Sequence, residues 1–177
     1  MKHKIGVIGS AEGNINDVLL TSARDIGKEI AKYNCLLLSG ATTGLSYEAV
    51  KGAKEVGGFT VGFSPAKNEA EHVERYKLPT EGFDLVIFTG FGYKGRVVPF
   101  IRSSDAVIGI SGRRGTLTEY ATALDEGKIT GILTGSGGVS DMMKHIEEHI
   151  GKKGGKKIFN NDPKNLVKEI VENLNMR

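Results

Sequence analysis

A strand-to-helix turn at residues 111–119, with the sequence SGRRGTLTE, carries the residue types and spacing best suited to chemistry. It follows the apolar segment 106–110 and leads into a helical pattern, so we expect Thr116 to open a helix. Gly112 and Gly115 let backbone N–H groups approach an anion, and a helix N-terminus favours negative charge. The turn therefore predicts a phosphate site. Because a carboxylate would repel a phosphate, we expect Glu119 to serve another part of the ligand.

The same turn also admits a structural interpretation. Thr116 and Glu119 have the S/T-x-x-E spacing of a capping box, in which two side chains satisfy exposed helix N–H groups reciprocally. Arg113 leaves two alternatives open. It supplies a positive contact for a phosphate, or it strains the turn if its position needs a positive φ.

The elements that must position this turn follow from short apolar segments that alternate with amphipathic ones. The apolar segments lack the alternation of half-exposed strands, which is typical of parallel strands buried on both faces. They comprise residues 5–8, 35–38, 60–63, 85–88, 106–110, 129–133 and 157–159. The order of strands and helices predicts an α/β fold, a single Rossmann-like doubly wound parallel sheet with helices on both faces. The segment 66–83 lacks a strand pattern and predicts a long loop with one helical turn, a length typical of lids and binding elements.

Glycine-rich turns follow four of these strands, at residues 9–13, 39–44, 90–96 and 111–116. In a parallel sheet such turns share one edge, so we expect them to line one cleft with backbone donors, hydroxyls and arginines. The binding residues predicted there are Gly9, Ser10, Gly40, Thr43, Gly44, Gly112, Arg113, Gly115 and Thr116. Their natural ligand is a small phosphorylated molecule. Short strand-to-helix turns also need glycine for purely structural reasons, so a single turn is weak evidence.

Composition narrows the class of protein. The 177 residues, of which 39% are apolar, suit one domain over 1–177 that buries roughly 70% of its unfolded surface. A net charge of +3, with Lys152, Lys153, Lys156 and Lys157 near the end of the sequence, gives no support for a nucleic-acid partner. The sequence contains no apolar segment typical of a signal peptide or a membrane span. One cysteine excludes an internal disulfide, and we expect a cytoplasmic protein.

For three further features, a structural interpretation is favoured over a functional one. His145 and His149 fit an H-x-x-E-H zinc-peptidase spacing, but no third ligand follows, so a solvated helix face is favoured and no metal site is predicted. Cys35 begins an apolar strand and predicts a core residue. Arg102 is expected to form a buried ion pair with Asp105 or another carboxylate.

Several motifs together resemble the Lonely Guy (LOG) family and related SLOG-like Rossmann-type proteins, once labelled lysine decarboxylases. The family's P-G-G-x-G-T-x-x-E motif is matched at Gly112, Gly115, Thr116 and Glu119. Residues 9–13 resemble its G-S-x-x-G turn, residues 39–45 its second glycine-rich turn, and residues 57–65 its G-G-x-V-x-G-V-I-P pattern. Arg96 and Arg102 stand at its two arginine positions.

The resemblance implies a phosphoribohydrolase, which cleaves the N-glycosidic bond of a nucleoside 5′-monophosphate to release the base and ribose 5-phosphate. Glu119 would then stabilise the positive charge on the sugar, and Arg96 would hold the ligand or help the departing base. No cofactor is implied. The alternative is a non-catalytic nucleotide or molybdenum-cofactor carrier that uses the same cleft. Relatives of this kind are commonly oligomers, so a homo-oligomer is expected.

Overall fold

The computed structural model describes residues 1–13, 15–150 and 154–176, and within these ranges the chain forms one seven-stranded sheet. The sheet order is β4-β3-β2-β1-β5-β6-β7, and every neighbouring pair is parallel. The strands are β1 Lys4–Gly9, β2 Leu36–Ser39, β3 Thr60–Ser64, β4 Leu85–Phe88, β5 Ala106–Ile110, β6 Ile129–Leu133 and β7 Lys157–Asn160. The predicted doubly wound α/β fold is confirmed.

Helices cover both faces of the sheet. They are α1 Asp17–Lys32, α2 Leu45–Glu55, α3 Gly92–Gly95, α4 Val97–Ser103, α5 Arg114–Asp125, α6 Gly138–Ile150 and α7 Pro163–Asn175. Helices α1, α2 and α7 pack with Val7 and its neighbours in one apolar cluster, whereas α4, α5 and α6 pack with Ile8 in the other. Successive side chains of a strand therefore pack into two different apolar cores, one on each face of the sheet, which is why the strands are apolar throughout. None of the described helices is long and apolar enough to cross a membrane.

The sheet order places a crevice beside the turn at residues 111–116. The chain runs outward from β1 to β4 and then returns to the other side of β1 with β5. At such a switch point the turns after the two strands diverge to opposite faces and leave a crevice at their carboxyl ends. The turns after β1 and β5 therefore flank this crevice.

The segment 66–83 contains one π-helical turn, Glu71–Arg75, in agreement with the predicted long loop with one helical turn. His72 is fully buried and ties the segment to the sheet. Its Nε2 donates to the Pro79 carbonyl at 3.0 Å, so its Nδ1, 2.8 Å from the Ser64 hydroxyl, accepts from that group. The segment is thus anchored next to the end of β3.

The sequence predicts structural roles for Cys35 and Arg102. Cys35 is buried, and burial raises the pKa of its thiol, which confirms a core cysteine. Arg102 is exposed and pairs with Glu126 at 2.9 Å, so the predicted buried ion pair is wrong; Asp105 pairs instead with Lys4 at 3.0 Å. The Arg102 side chain is 65% exposed and that of Glu126 is 30% exposed, and an ion pair in such a position contributes little to stability.

The remaining charged motifs lie on the surface. His145 and His149 stack with ring centroids 4.3 Å apart, and the described residues hold no group of three or more potential ligands for a metal ion. Of the terminal lysines, Lys157 pairs with Glu147 and Lys156 contacts Asn173. Lys152 and Lys153 lie outside the described residues.

Candidate functional site

A cavity of about 290 Å³ opens at the carboxyl edge of the sheet, beside β1, β2 and β5. The turns after these strands line it together with the segment that contains α3 and the start of α4. Its lining comprises Val7, Ile8, Gly9, Ser10, Ala11, Glu12, Gly40, Thr42, Ser46, Tyr93, Lys94, Arg96, Val97, Arg113, Gly115, Thr116, Thr118 and Glu119. The apolar strand ends and the polar turns thus share one space.

The turn between β5 and α5 reverses direction through two left-handed residues, Ser111 with φ 55° and Gly112 with φ 104°. Gly112 also lies directly over Thr116, so a β-carbon on Gly112 would sit 2.5 Å from the Cβ of Thr116. Arg113 is extended, with φ −125° and ψ −158°. The alternative in which Arg113 strains the turn is therefore wrong, because its backbone conformation is open to any residue.

Helix α5 begins at Arg114, and the predicted start at Thr116 and the capping box are both wrong. Thr116 packs against Gly112 and is the third residue of the helix. It therefore lies inside the first turn and cannot act as the N-cap. Arg113 holds the N-cap position, and no described side chain caps the helix there. The first N–H groups of α5 consequently open towards the cavity beside Gly115 and Thr116, where a helix attracts anions.

Hydroxyl groups brace the turn from both sides. The backbone N–H of Gly112 donates to the Ser10 hydroxyl at 3.0 Å, and the N–H of Ser111 donates to the Ser136 hydroxyl at 2.8 Å. The Ser10 hydroxyl, which the sequence assigns to a ligand, therefore accepts a hydrogen bond that holds the turn between β5 and α5 in place.

Arg96 lies at the junction of α3 and α4, with only 6% of its surface exposed. Its Nη1 donates to the Phe63 carbonyl at a long 3.4 Å, and its Nη2 lies 3.7 Å from Oε1 of Glu119. Its Nε is buried and has no hydrogen-bond partner among the described residues. Because a guanidinium carries five N–H donors, this buried group lacks most of the acceptors it needs.

Glu119 faces Arg96 from the second turn of α5 and is 8% exposed. Burial raises the pKa of its carboxyl to about 7, although the positive charge of Arg96 opposes the shift. Burial likewise lowers the pKa of Arg96, and Glu119 opposes that change. The pair is therefore a buried cation beside a carboxyl that gains or loses its proton near neutral pH.

The structure brings most of the predicted site residues together. The cavity lining includes Gly9, Ser10, Gly40, Arg96, Arg113, Gly115, Thr116 and Glu119. Among the described residues, Gly112, Thr43 and Gly44 stand behind this lining. The Thr43 hydroxyl donates to the Ala11 carbonyl at 3.4 Å, and Gly44, with φ 78°, lets the next N–H reach the Ser10 carbonyl at 2.9 Å.

Sequence reasoning missed several lining residues. Thr42, Tyr93 and Lys94 lie within glycine-rich turns that were expected to line the cleft, so their position was a usable signal. Ser46 is the second residue of α2 and Thr118 lies one turn inside α5, and small polar residues are common at such helix positions. Only the tertiary packing distinguishes those two from surface residues.

Comparison with known proteins gives a consistent picture. Residues 2–167 match the model of the SLOG cluster4 family. An uncharacterised protein of Archaeoglobus fulgidus is 34% identical over 125 residues, which cover 71% of this chain and 76% of the relative. These matches confirm the predicted resemblance to SLOG-like Rossmann-type proteins.

Two solved structures extend the similarity over nearly the whole chain. The molybdenum cofactor carrier protein of Chlamydomonas reinhardtii is 28% identical, with a TM-score of 0.81 and full coverage of both chains at 100%. The molybdenum cofactor binding protein of Rippkaea orientalis is 29% identical, with a TM-score of 0.77 over 98% of each chain. Both belong to the second group named by the sequence resemblance.

Proposed function

The chain belongs to the SLOG cluster4 family, and from that premise we propose that its cleft binds a nucleotide and hydrolyses the N-glycosidic bond. One observation carries the proposal: the guanidinium of Arg96 is buried beside Glu119 with an unpartnered Nε. Leaving a buried charged donor without an acceptor costs free energy, so a ligand that supplies acceptors there is favoured.

The phosphate would bind at the start of α5. The open N–H groups near Gly115 and Thr116 supply donors, the helix dipole favours an anion, and Arg113 adds a positive charge at the same end. The Arg113 guanidinium extends over the β1–α1 loop, where a β-carbon on Gly13 would lie 2.2 Å from its Nη2. From there it can close over a bound phosphate.

The sugar would then lie near Glu119, one turn further along α5. In hydrolysis, water adds to the anomeric carbon, the carbon–nitrogen bond breaks, and the base leaves with the proton that the water supplies. The sugar becomes positively charged in the transition state, and an ionised Glu119 would stabilise it and orient the water. Arg96 favours that ionised form and would offer its free Nε–H to the ligand.

The second candidate function is a carrier that binds a cofactor in this cleft and leaves it intact. It is favoured by the similarity of the whole chain to the two molybdenum cofactor proteins. A carrier would need the anion site at α5 but would have no use for a carboxylate that ionises beside the ligand.

The deciding experiment incubates the purified protein with a panel of nucleoside 5′-monophosphates and measures released base by chromatography. A phosphoribohydrolase releases base, and Glu119→Gln lowers the rate about 100-fold or more. The matched controls are Glu126→Gln and Arg102→Ala, which change an exposed ion pair on the same two helices and should retain the rate. If no base appears while a nucleotide or a pterin phosphate raises the melting temperature, hydrolysis is refuted and the carrier function stands.

We also propose that residues 1–177 work as one domain in a cytoplasmic homo-oligomer. The outer strand β4 leaves Leu85 and Ile87 exposed by 50% and 38%, which suits a surface that another copy covers. Light scattering coupled to size-exclusion chromatography should give a mass of at least two chains, and a monomer at micromolar concentration would contradict this.

A further inference from the structure

Tyr93 is one of the side chains that line the cavity. It lies in the four-residue helix α3, lines the cavity, and keeps 50% of its surface exposed. An exposed aromatic ring that lines a cavity offers a face on which a planar ligand can stack. The hydrolysis mechanism makes no use of this ring.

The long segment 66–83 holds Tyr93 in place without lining the cavity itself. Tyr76, which ends the π-helical turn, packs against Tyr93 with ring centroids 5.3 Å apart and an interplanar angle of 87°. Arg75 lies 5.5 Å above the Tyr76 ring, and its Nη1 pairs with Glu71 at 2.6 Å. The predicted binding element thus supports the wall of the cleft from behind.

The cavity lining offers a surface for the base in addition to the proposed phosphate site and the Arg96–Glu119 pair. The proposed phosphate site is at the start of α5, the Arg96–Glu119 pair lies in the same cavity, and Tyr93, three residues before Arg96, is close enough to interact electrostatically with Arg96. Val97 lies one helical turn after Tyr93 and lines the same wall. An aromatic and an apolar side chain therefore line the cavity beside the Arg96–Glu119 pair.

We propose that Tyr93 is the residue on which the base of the ligand stacks, and that it makes the cleft selective for a planar heteroaromatic ring joined to a sugar phosphate. This inference rests on the proposed nucleotide site. Stacking on an aromatic side chain tolerates different rings, because each has a π-face, and it strengthens with the area of overlap. The cleft should therefore prefer purines to pyrimidines, and Tyr76 acts as a positioning residue.

The test compares two probes by isothermal titration calorimetry. One is a purine C-nucleoside 5′-monophosphate, whose carbon–carbon glycosidic bond resists hydrolysis, and the other is ribose 5-phosphate, which lacks the ring. Tyr93→Ala should weaken binding of the first probe by about tenfold or more and change the second by less than about twofold. Tyr93→Phe keeps the ring and should retain the affinity for both.

Three further variants separate the loss of stacking from general damage to the fold. Phe91→Ala removes an aromatic side chain that is 69% exposed in the same segment and stands outside the described cavity lining, so both affinities should stay unchanged. Tyr76→Leu should weaken only the purine probe, and Tyr76→Phe should restore its affinity.

The possible failures are distinguishable. If the wild-type protein binds both probes equally, or if Tyr93→Ala weakens both by the same factor, the stacking role is wrong while the phosphate site remains. If neither probe binds the wild-type protein, the proposed nucleotide site is wrong and the stacking role falls with it.

Discussion

Gly40 lies so close to Arg96 that a β-carbon on Gly40 would sit 1.5 Å from Nη1 of the guanidinium. This glycine follows β2 in a turn where the sequence suggests a close approach between backbone and phosphate. In the folded protein it instead makes room for the arginine side chain. The buried position in which Arg96 meets Glu119 therefore depends on the absence of a side chain at Gly40, in the turn after β2.

Gly40→Ala should displace the guanidinium and lower nucleotide affinity by roughly tenfold, because a charged hydrogen-bond donor leaves the site. The fold should survive, since the displaced atoms are the far end of a flexible side chain. Calorimetry in a double-mutant cycle with Arg96→Ala checks the cause. Once Arg96 is truncated, the alanine at position 40 should have almost no further effect; independent, additive losses would contradict this role for Gly40.

The stability of the protein should depend on the protonation of Glu119. Burial raises the pKa of its carboxyl from 4.5 to about 7, so the folded state keeps a proton that the unfolded chain has lost. This contribution is fully present below pH 4.5 and is lost as the pH rises through about 7. The free energy of unfolding should fall over that range by an amount on the order of 3 kcal/mol.

The measurement for Glu119 is denaturant unfolding of the wild-type protein and Glu119→Gln at several pH values. The amide cannot ionise, so the variant should gain stability relative to the wild-type protein between pH 5 and pH 8. The control is Ala121→Gly on the exposed face of the same helix, which changes no ionisable group and should show no such trend. A difference between Glu119→Gln and the wild-type protein that is independent of pH would refute the raised pKa.

Ser10 and Thr43 are both hydroxyl residues in predicted binding turns, and their substitutions should differ. Ser10→Ala leaves the buried N–H of Gly112 without its acceptor and should cost about 1–3 kcal/mol of stability. Thr43→Ala removes an exposed hydroxyl with a weak 3.4 Å contact and should cost less than about 0.5 kcal/mol. Urea unfolding of both variants provides the comparison, and equal losses would show that Ser10 does not brace the turn.

Gly115→Ala should separate stability from binding. Gly115 is the second residue of α5, and a β-carbon there meets no described atom within 4 Å. Alanine favours the helix by about 0.5–1 kcal/mol, so the melting temperature should rise by about 2–4 °C. The new methyl group enters the anion-binding end of the cavity, so nucleotide affinity should fall.

Ala121→Gly on the exposed face of the same helix is the control for Gly115→Ala. It should lower the melting temperature and leave nucleotide affinity unchanged. If Gly115→Ala binds nucleotide as tightly as the wild-type protein, the phosphate does not lie at the start of α5.

Much of the site could be predicted because its framework is local in sequence. Residues 106–110 are apolar enough to mark a buried strand, and the glycines after β1, β2 and β5 mark turns at one edge of a parallel sheet. The start of α5 could not be predicted in the same way. The spacing of Thr116 and Glu119 satisfies a capping box, but the left-handed turn at Ser111 and Gly112 starts the helix at Arg114.

The two arginines show the same limit. Arg96 and Arg102 are six positions apart in sequence, yet one is buried against Glu119 and the other is exposed against Glu126. Whether each arginine side chain is buried or exposed depends on which face of the short helices α3 and α4 meets the sheet. That face is set by the packing of Phe100 of α4 against Phe63 of β3 and other core side chains from distant segments.

The sequence by itself determined the parallel α/β sheet and the edge at which its turns meet, because burial on both faces leaves a local record in apolar strands and glycine-rich turns. Only the tertiary structure decided that Arg96 and Glu119 form a buried pair, that Gly40 makes room for it, and that Tyr93 completes the wall. The physical reason is that desolvation, close approach and pKa depend on the atoms that surround a group. Those atoms come from segments that local spacing does not relate.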